Sequence, residues 1–86
     1  MNKTSTITNI IQKQNNTKEI MTLLNILLSP QEINSIYNRI QIISQLKKDI
    51  PQSQIAKNLN TGIATVTRGS KVLQNKNIKN ITQWWG

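Results

Sequence analysis

The chain has 86 residues and a formal net charge of +8, and it contains neither cysteine nor histidine. A chain of this length forms one small domain at most and is only marginally stable alone, so oligomerisation is an accessible source of further stability. The missing residue types exclude disulfides, thiolate metal sites and imidazole chemistry, and only three acidic residues remain for paired-carboxylate catalysis. We therefore predict no enzyme activity, no metal and no cofactor.

Most of the positive charge falls in the second half of the chain. Residues 1–38 hold three lysines and two glutamates, whereas residues 39–86 hold eight lysine or arginine residues and one aspartate. A basic half favours nucleic acid or an anionic membrane as partner, and we predict nucleic acid because the charge coincides with a helix-turn-helix pattern. No apolar run approaches the roughly 20 residues that span a bilayer, and residues 1–9 lack the apolar stretch of a signal peptide. We expect a cytoplasmic protein with no membrane partner.

The first part of the chain predicts a polar start followed by an apolar helix. Residues 1–16 are polar apart from three isoleucines, which is compatible with a polar arm or a short helix before a helical domain at 17–86. From Thr17 to Leu28, isoleucine and leucine recur at the spacing of one helical stripe, and further apolar side chains lie beside it. A short helix that is apolar most of the way round is usually buried against several neighbours. We expect these neighbours to include a second copy of the chain.

The clearest helix start is the segment Ser29–Glu32. Ser29 can accept a hydrogen bond from the Glu32 backbone N–H while the Glu32 carboxylate accepts one from the Ser29 N–H, and Pro30 occupies the first helical position. We predict a helix from here to about Lys48, with Arg39 at the edge of its apolar stripe. The residues predicted to form that buried stripe are Ile33, Ile36, Tyr37, Ile40, Ile43 and Leu46.

Residues 52–75 have the pattern of a helix-turn-helix. The first helix is predicted from Gln52 to Leu59, with Ile55 and Leu59 facing inward and Ala56 small enough for a close helix crossing. The turn that follows contains Asn60, a residue type that tolerates a left-handed backbone. The second helix is predicted from Ile63 to about Lys76, and a last short helix over residues 78–85. The predicted anchors are Ile63, Val66 and Leu73 for the second helix, and Trp84 and Trp85 for the core or a dimer.

The second helix of the motif can enter a DNA major groove. It carries Arg68 and Gly69 in its interior, where a glycine costs about 1 kcal/mol relative to alanine. Some feature of the structure should therefore require the missing side chain. One candidate is a close helix crossing.

Four segments carry a family resemblance: Leu23–Asn25, Leu28–Pro30, Tyr37–Arg39 and, above all, Gly62–Ser70. Together they resemble the tryptophan operon repressor family over roughly residues 20–75. The resemblance implies an all-α fold, in which about five or six short helices per chain build an intertwined homodimer. It implies a sequence-specific DNA-binding transcriptional repressor, activated by L-tryptophan and acting on operators of tryptophan biosynthesis or transport. Two alternatives stay open: a helix-turn-helix regulator that needs no ligand, and a protein-interaction or membrane-surface module.

The resemblance also implies a set of L-tryptophan contacts. Arg68 would hold the carboxylate with its guanidinium fork, and Arg39 would lie over a face of the indole. Gly69 would leave room for the indole, and Thr65 would line the pocket. The contacts to the ammonium group would come from the partner subunit, through Ile26, Leu28 and Ser29.

One departure from the family concerns this ligand. The family has a serine near the ammonium group where this chain has Val72. Losing that hydroxyl is expected to cost about 1 kcal/mol of affinity, the net value of a typical hydrogen bond. It is also expected to shift the ligand preference toward indole acids that lack an amine.

The implied DNA contacts lie on both helices of the motif. Ser53 and Ala56 stand where the family has long basic residues, so the operator sequence need not be that of the family. The predicted contacts are Gln52 and Ser53 to phosphate, Ala56 on the same helix, Ile63, Ala64 and Thr67 at base edges, and Lys57 and Lys71 as phosphate-neutralising charges.

Overall fold

The computed structural model describes residues 2–74, and within this range it contains five α-helices and no strand. The helices are α1 (Lys3–Gln12), α2 (Thr17–Leu27), α3 (Pro30–Lys47), α4 (Gln52–Asn58) and α5 (Ile63–Leu73). The all-α prediction is confirmed. The helix predicted over 78–85, with Trp84 and Trp85, lies outside the described residues. No described helix combines the length and apolar character needed to cross a membrane.

The chain divides into two compact units, and the boundary between them follows Asn34. In the first unit, the side chain of Asn2 caps α1 by accepting from the Ser5 N–H at 2.7 Å. Asn16 caps α2 in the same way, accepting from the Glu19 N–H at 2.9 Å. Of the two forms predicted for this segment, a polar arm or a short helix, residues 3–12 form the helix. No side chain of α1 or α2 is buried within the chain, so the neighbours expected for α2 stay a prediction.

The predicted start of α3 is confirmed in detail. The Ser29 N–H donates to Glu32 Oε1 at 2.8 Å, and the Glu32 N–H donates to Ser29 Oγ at 3.2 Å. The backbone N–H of Ser29, and then its side chain, lower the pKa of the Glu32 carboxyl below its ordinary value. The helix ends at Lys47, and Asp49 follows it in the left-handed region with φ 61°. The Ile50 N–H then donates to the Gln45 carbonyl at 3.2 Å, which closes the helix end.

The predicted buried stripe of α3 is partly wrong. The buried residues of this helix are Ile42, Ile43 and Ser44, whereas Ile36 and Tyr37 are 40% and 59% exposed. Ile42 lies on the opposite side of the helix from the start of the predicted stripe. The difference arises because α4 and α5 pack around Ile42, and it is these tertiary contacts that select the buried face.

The core that the described residues of the second unit form joins three helices. Ile42, Ile55 and Val66 are each at most 2% exposed, and they come from α3, α4 and α5. The inward positions predicted for Ile55 and Val66 are confirmed, but Ile63 is 56% exposed and does not anchor α5. Ile63 is the first residue of α5 and lies beyond the reach of this core. The partly buried apolar residues around the core are Leu46, Ile50, Ala56 and Leu59.

The turn between α4 and α5 has the predicted left-handed residue. Asn60 has φ 52°, and the Thr61 N–H donates to the Ala56 carbonyl at 2.9 Å. This hydrogen bond satisfies a carbonyl at the end of α4 and reverses the chain within a few residues. The helix-turn-helix is therefore formed by α4 and α5, which pack directly against each other.

Candidate functional site

The interior glycine of α5 is explained by a helix crossing. A Cβ atom built on Gly69 would lie 2.5 Å from Ile42 Cγ2 and 3.5 Å from Leu46 Cδ1. The first distance is far below van der Waals contact, and Ile42 is buried and has little room to move. The close approach of α5 to α3 thus requires a glycine whether or not a ligand is bound. The role of Gly69 in making room for an indole stays a prediction.

A cavity of about 330 Å³ lies beside this crossing, between α3 and α5. Its volume is at the lower end of the range of small-molecule sites, about 300–1,000 Å³. The lining residues are Arg39, Ile42, Ile43, Thr65, Arg68, Gly69 and Val72. Five of the eight residues predicted to bind the ligand are therefore gathered around one cavity.

The chemistry of the lining suits a ligand that has one negatively charged group and an otherwise apolar body. The lining residues include two arginines, Arg39 and Arg68, and the hydroxyl-bearing Thr65, and no acidic residue is among the described residues of the wall. A guanidinium binds a carboxylate through two parallel N–H···O bonds and can also stack on an aromatic face. The rest of the wall is apolar, including Val72, which is 44% exposed. A planar aromatic acid fits this combination.

Ile42 and Ile43 complete the cavity wall and were not predicted as site residues. The prediction for α3 included Ile43, but only as a core residue, and it placed Ile42 on the face of the helix that points away from the core. The sequence offers a weak signal, because Ile42 and Ile43 lie one turn after Arg39 on a helix. Apolar residues at that spacing are too common to identify a cavity by themselves.

The other three predicted ligand residues lie in the first unit. Ile26 is 73% exposed on α2, Leu28 is partly buried, and Ser29 belongs to the capping box of α3. The Ser29 oxygen accepts from the Glu32 N–H and keeps a second lone pair for another donor. Their action across a subunit interface stays a prediction.

The predicted DNA contacts on α5 lie on a different face from the cavity. Successive residues of an α-helix are rotated by about 100°. The four cavity-lining residues of α5 (Thr65, Arg68, Gly69 and Val72) fall within an arc of about 100°, and the predicted DNA contacts occupy another such arc. The centres of the two arcs differ by about 140°. The predicted DNA contacts on α5 are all exposed: Ile63, Ala64, Thr67 and Lys71.

The predicted DNA contacts on α4 differ in exposure. Ser53 and Lys57 are exposed, whereas Ala56 is partly buried against the core. Gln52 is the first residue of α4, and its Oε1 accepts a hydrogen bond from the Thr67 hydroxyl at 2.9 Å. This bond joins two predicted DNA contacts and links α4 to α5. No cluster of three or more metal-ligating side chains occurs among residues 2–74.

Comparisons with known proteins identify the family of the chain. A family model described as "Trp repressor protein" matches residues 2–83. The Trp operon repressor homolog of Pasteurella multocida is 47% identical over 62 residues, which is 71% of this chain and 58% of the relative. The corresponding protein of Mannheimia succiniciproducens is 53% identical over 53 residues, covering 60% of this chain and 52% of the relative. The homolog of Vibrio parahaemolyticus is 37% identical over 71 residues, 81% of this chain and 69% of the relative.

The matched part of the chain thus spans little more than half the length of the first two relatives. No solved structure gave a significant match. The family model nevertheless extends over nearly all of this sequence, from residue 2 to residue 83. The chain belongs to the Trp repressor family.

Proposed function

We propose that the protein is a homodimeric, cytoplasmic transcriptional repressor that binds operator DNA with L-tryptophan as corepressor, at genes of tryptophan biosynthesis or transport. The observation that supports this most is the division of α5 into two faces. One face lines the cavity and includes Arg68, which lies opposite Arg39 of α3, and the other face exposes Ile63, Ala64 and Thr67. A single rigid helix can therefore transmit the occupancy of the cavity to the surface that meets DNA.

The proposed coupling is mechanical. A ligand in the cavity would contact α3 through Arg39 and α5 through Arg68, and so would hold α5 at one orientation relative to the core. In a dimer, the two recognition helices must lie about one DNA turn apart, near 34 Å, and this family is itself a standard example of such docking. A ligand that restrains both α5 helices at that spacing would raise DNA affinity, because less conformational entropy would be lost when the two helices bind DNA.

The first prediction concerns the ligand. We expect calorimetry to detect L-tryptophan binding, and a duplex selected from a randomised pool to be bound more tightly when L-tryptophan is present. Arg68→Lys keeps the charge but loses the bidentate fork, so it should weaken ligand binding at least tenfold, as loss of a charged hydrogen bond implies. The ligand-free affinity of the same variant for DNA should stay close to that of the parent.

Two outcomes would contradict this proposal in different ways. Equal DNA affinity with and without L-tryptophan, together with no binding heat at millimolar ligand, would leave a ligand-independent regulator. Failure to retain any duplex from the pool, with or without ligand, would exclude the repressor function itself.

The second prediction concerns Val72 and the ligand class. Val72→Ser adds a hydroxyl to the cavity wall without adding a charge, and we expect it to raise affinity for L-tryptophan about fivefold, the equivalent of one hydrogen bond of about 1 kcal/mol. Indole-3-propionate has the same ring and carboxylate but no amine, so its affinity should not improve. Val72→Ala serves as the matched control because it removes methyl groups without supplying a hydroxyl. A similar gain for both ligands in Val72→Ser would contradict the assignment.

A further inference from the structure

The last residue of α4, Asn58, is hydrogen-bonded to α3 through its side chain. Its Nδ2 group donates to Gln45 Oε1 at 3.1 Å, across 13 positions of the chain. Its Oδ1 atom accepts from Gln54 Nε2 at 2.7 Å, one turn earlier on α4. The donor end and the acceptor end of the Asn58 amide are thus both used, which fixes its orientation toward α3.

The two helices of the helix-turn-helix form one unit. Of the described helices, α4 and α5 have the most extensive packing against each other. Ile55 of α4 and Val66 of α5 are fully buried in the shared core. The Thr67 hydroxyl also donates to Gln52 Oε1 at 2.9 Å and so joins the start of α4 to α5. A movement of α4 relative to α3 would therefore carry α5 with it.

The contacts of this unit with α3 follow one row of residues. Arg39, Ile42 and Gln45 are spaced by three, so each lies about 60° round the helix and about 4.5 Å along it from the one before. The first residue of the row lines the cavity, the second is buried in the core, and the third accepts the bond from α4. The cavity and the amide bond therefore lie on opposite sides of the core contact along α3.

The amide bond and a ligand in the cavity would oppose the same movement from the two ends of this row. In the proposed function, a ligand joins Arg39 to Arg68 and so holds the helix-turn-helix on α3. The bond between Asn58 and Gln45 makes a second connection that needs no ligand. It is present together with the formed cavity, so it stabilises the arrangement of helices that accepts the ligand.

We propose that Asn58, acting through Gln45, is a positioning residue that sets the fraction of ligand-free protein whose helix-turn-helix has the DNA-binding orientation. The inference rests on the proposed function, because it takes the ligand-accepting arrangement to be the one that binds DNA. Apparent affinity falls in proportion to the fraction of competent molecules. Loss of the bond therefore lowers the ligand-free affinities for DNA and for L-tryptophan by the same factor, and saturating ligand restores the DNA affinity.

The experiment removes the bond from its α3 side, at a residue that neither lines the cavity nor belongs to the predicted DNA contacts. Gln45→Met keeps the length of the side chain and its helix propensity but has no oxygen to accept from Asn58. Gln41→Met, one turn earlier on α3, is the matched control, because Gln41 has no part in this bond. Fluorescence anisotropy measures the affinity for a duplex selected by the parent protein, without ligand and at saturating L-tryptophan, and calorimetry measures the affinity for L-tryptophan.

We expect Gln45→Met to raise the ligand-free dissociation constants for DNA and for L-tryptophan by one common factor of about two to ten, the weight of one hydrogen bond. At saturating L-tryptophan its DNA affinity should equal that of the parent. Asn58→Ala should weaken L-tryptophan binding to the same extent and should add little to Gln45→Met, because both substitutions delete the same bond. Gln41→Met should match the parent in each measurement.

An unchanged ligand-free DNA affinity in Gln45→Met, or a loss that persists at saturating ligand, would overturn this assignment while the repressor function stands. A parent protein that retains no duplex, or binds it equally with and without L-tryptophan, would overturn the proposed function and this assignment with it. The measurements on the parent alone therefore separate the two failures.

Discussion

Gly69 determines how closely α5 can approach α3, because a single methyl group at this position would clash with α3. The nearest atom to an added Cβ is Ile42 Cγ2, which is attached directly to the branched Cβ of a buried side chain. Such an atom moves only if the whole rotamer changes, and dense interiors resist that change. The cavity beside the crossing shares this wall, so its shape also depends on the glycine.

The third prediction is that Gly69→Ala destabilises the protein. Alanine gains about 1 kcal/mol of helix propensity over glycine, but overpacking of a core contact costs about 1–3 kcal/mol. We expect a net loss of about 1 kcal/mol in the free energy of unfolding, measured by urea denaturation. The reason is steric and needs no ligand, so the measurement is made on the ligand-free protein.

A second substitution tests whether the contact with Ile42 is the cause. Ile42→Leu moves the branch from Cβ to Cγ and removes the methyl that Gly69→Ala would meet, at an expected cost below about 1.5 kcal/mol. In that background Gly69→Ala should be neutral or stabilising. An equal cost of Gly69→Ala in both backgrounds would show that another contact is responsible.

At the level of single helices, the positions where the helices begin and end were predictable from local sequence signals. The capping box of Ser29 and Glu32 and the left-handed Asn60 were predicted because each depends on a few adjacent residues. Asp49, which also has a positive φ, was not predicted to be left-handed, since aspartate is a weaker signal than asparagine or glycine. The buried face of α3 was not predictable in the same way, because contacts from α4 and α5, distant in sequence, select Ile42.

The fourth prediction concerns the pH dependence of the α3 N-terminus. The pKa of Glu32 is lowered because its carboxylate accepts from the Ser29 N–H and is also favoured by the Ser29 side chain. A lowered folded-state pKa means that the carboxylate stabilises the fold at pH values above the usual glutamate pKa of about 4.3, and that this contribution is lost on acidification through the folded-state value. We expect Ser29→Ala to raise the pKa of Glu32 in an NMR titration, while the backbone contribution persists.

Glu32→Gln is the matched control for this interaction. It keeps a side-chain oxygen that can accept from the Ser29 N–H, but it does not titrate. Its stability should therefore lack the acid-dependent component that Glu32 gives to the parent. An unchanged Glu32 pKa in Ser29→Ala would contradict the contribution assigned to the Ser29 side chain.

For the whole molecule, the helical fold was more predictable than the surroundings of the site. Periodicity and turn residues are local, and they were sufficient for α2 to α5. Five predicted ligand residues line one cavity, but that prediction came from a resemblance, since Arg39 and Thr65 are 26 positions apart and no spacing rule connects them. Ile42 and Ile43 were missed as wall residues because a cavity is a property of packed helices and has no pattern in one segment.

We expect folding to be coupled to association, and the reason for this expectation is the apolar surface of α2. In residues 2–74 only four apolar residues are buried, all of them in the second unit, while α2 exposes five large apolar side chains at 40% or more. Four buried apolar residues are few for the part of the chain that the structure describes, and a contiguous exposed apolar patch is typical of an interaction surface. The exposed side chains are Ile20, Met21, Leu24, Ile26 and Leu27.

The fifth prediction is that the thermal midpoint rises with protein concentration. If two copies fold and associate together, a tenfold increase in concentration adds about 1.4 kcal/mol to the stability of the dimer, which corresponds to a shift of roughly 3–6 °C. Leu24→Lys places a charge on the apolar stripe and should reduce the sedimentation mass to that of a monomer and abolish the shift. Thr22→Lys adds the same charge on the polar face of α2, beside Lys18 and Asn25, and should preserve the dimer. A parent protein that sediments as a monomer with a concentration-independent midpoint would contradict the coupling.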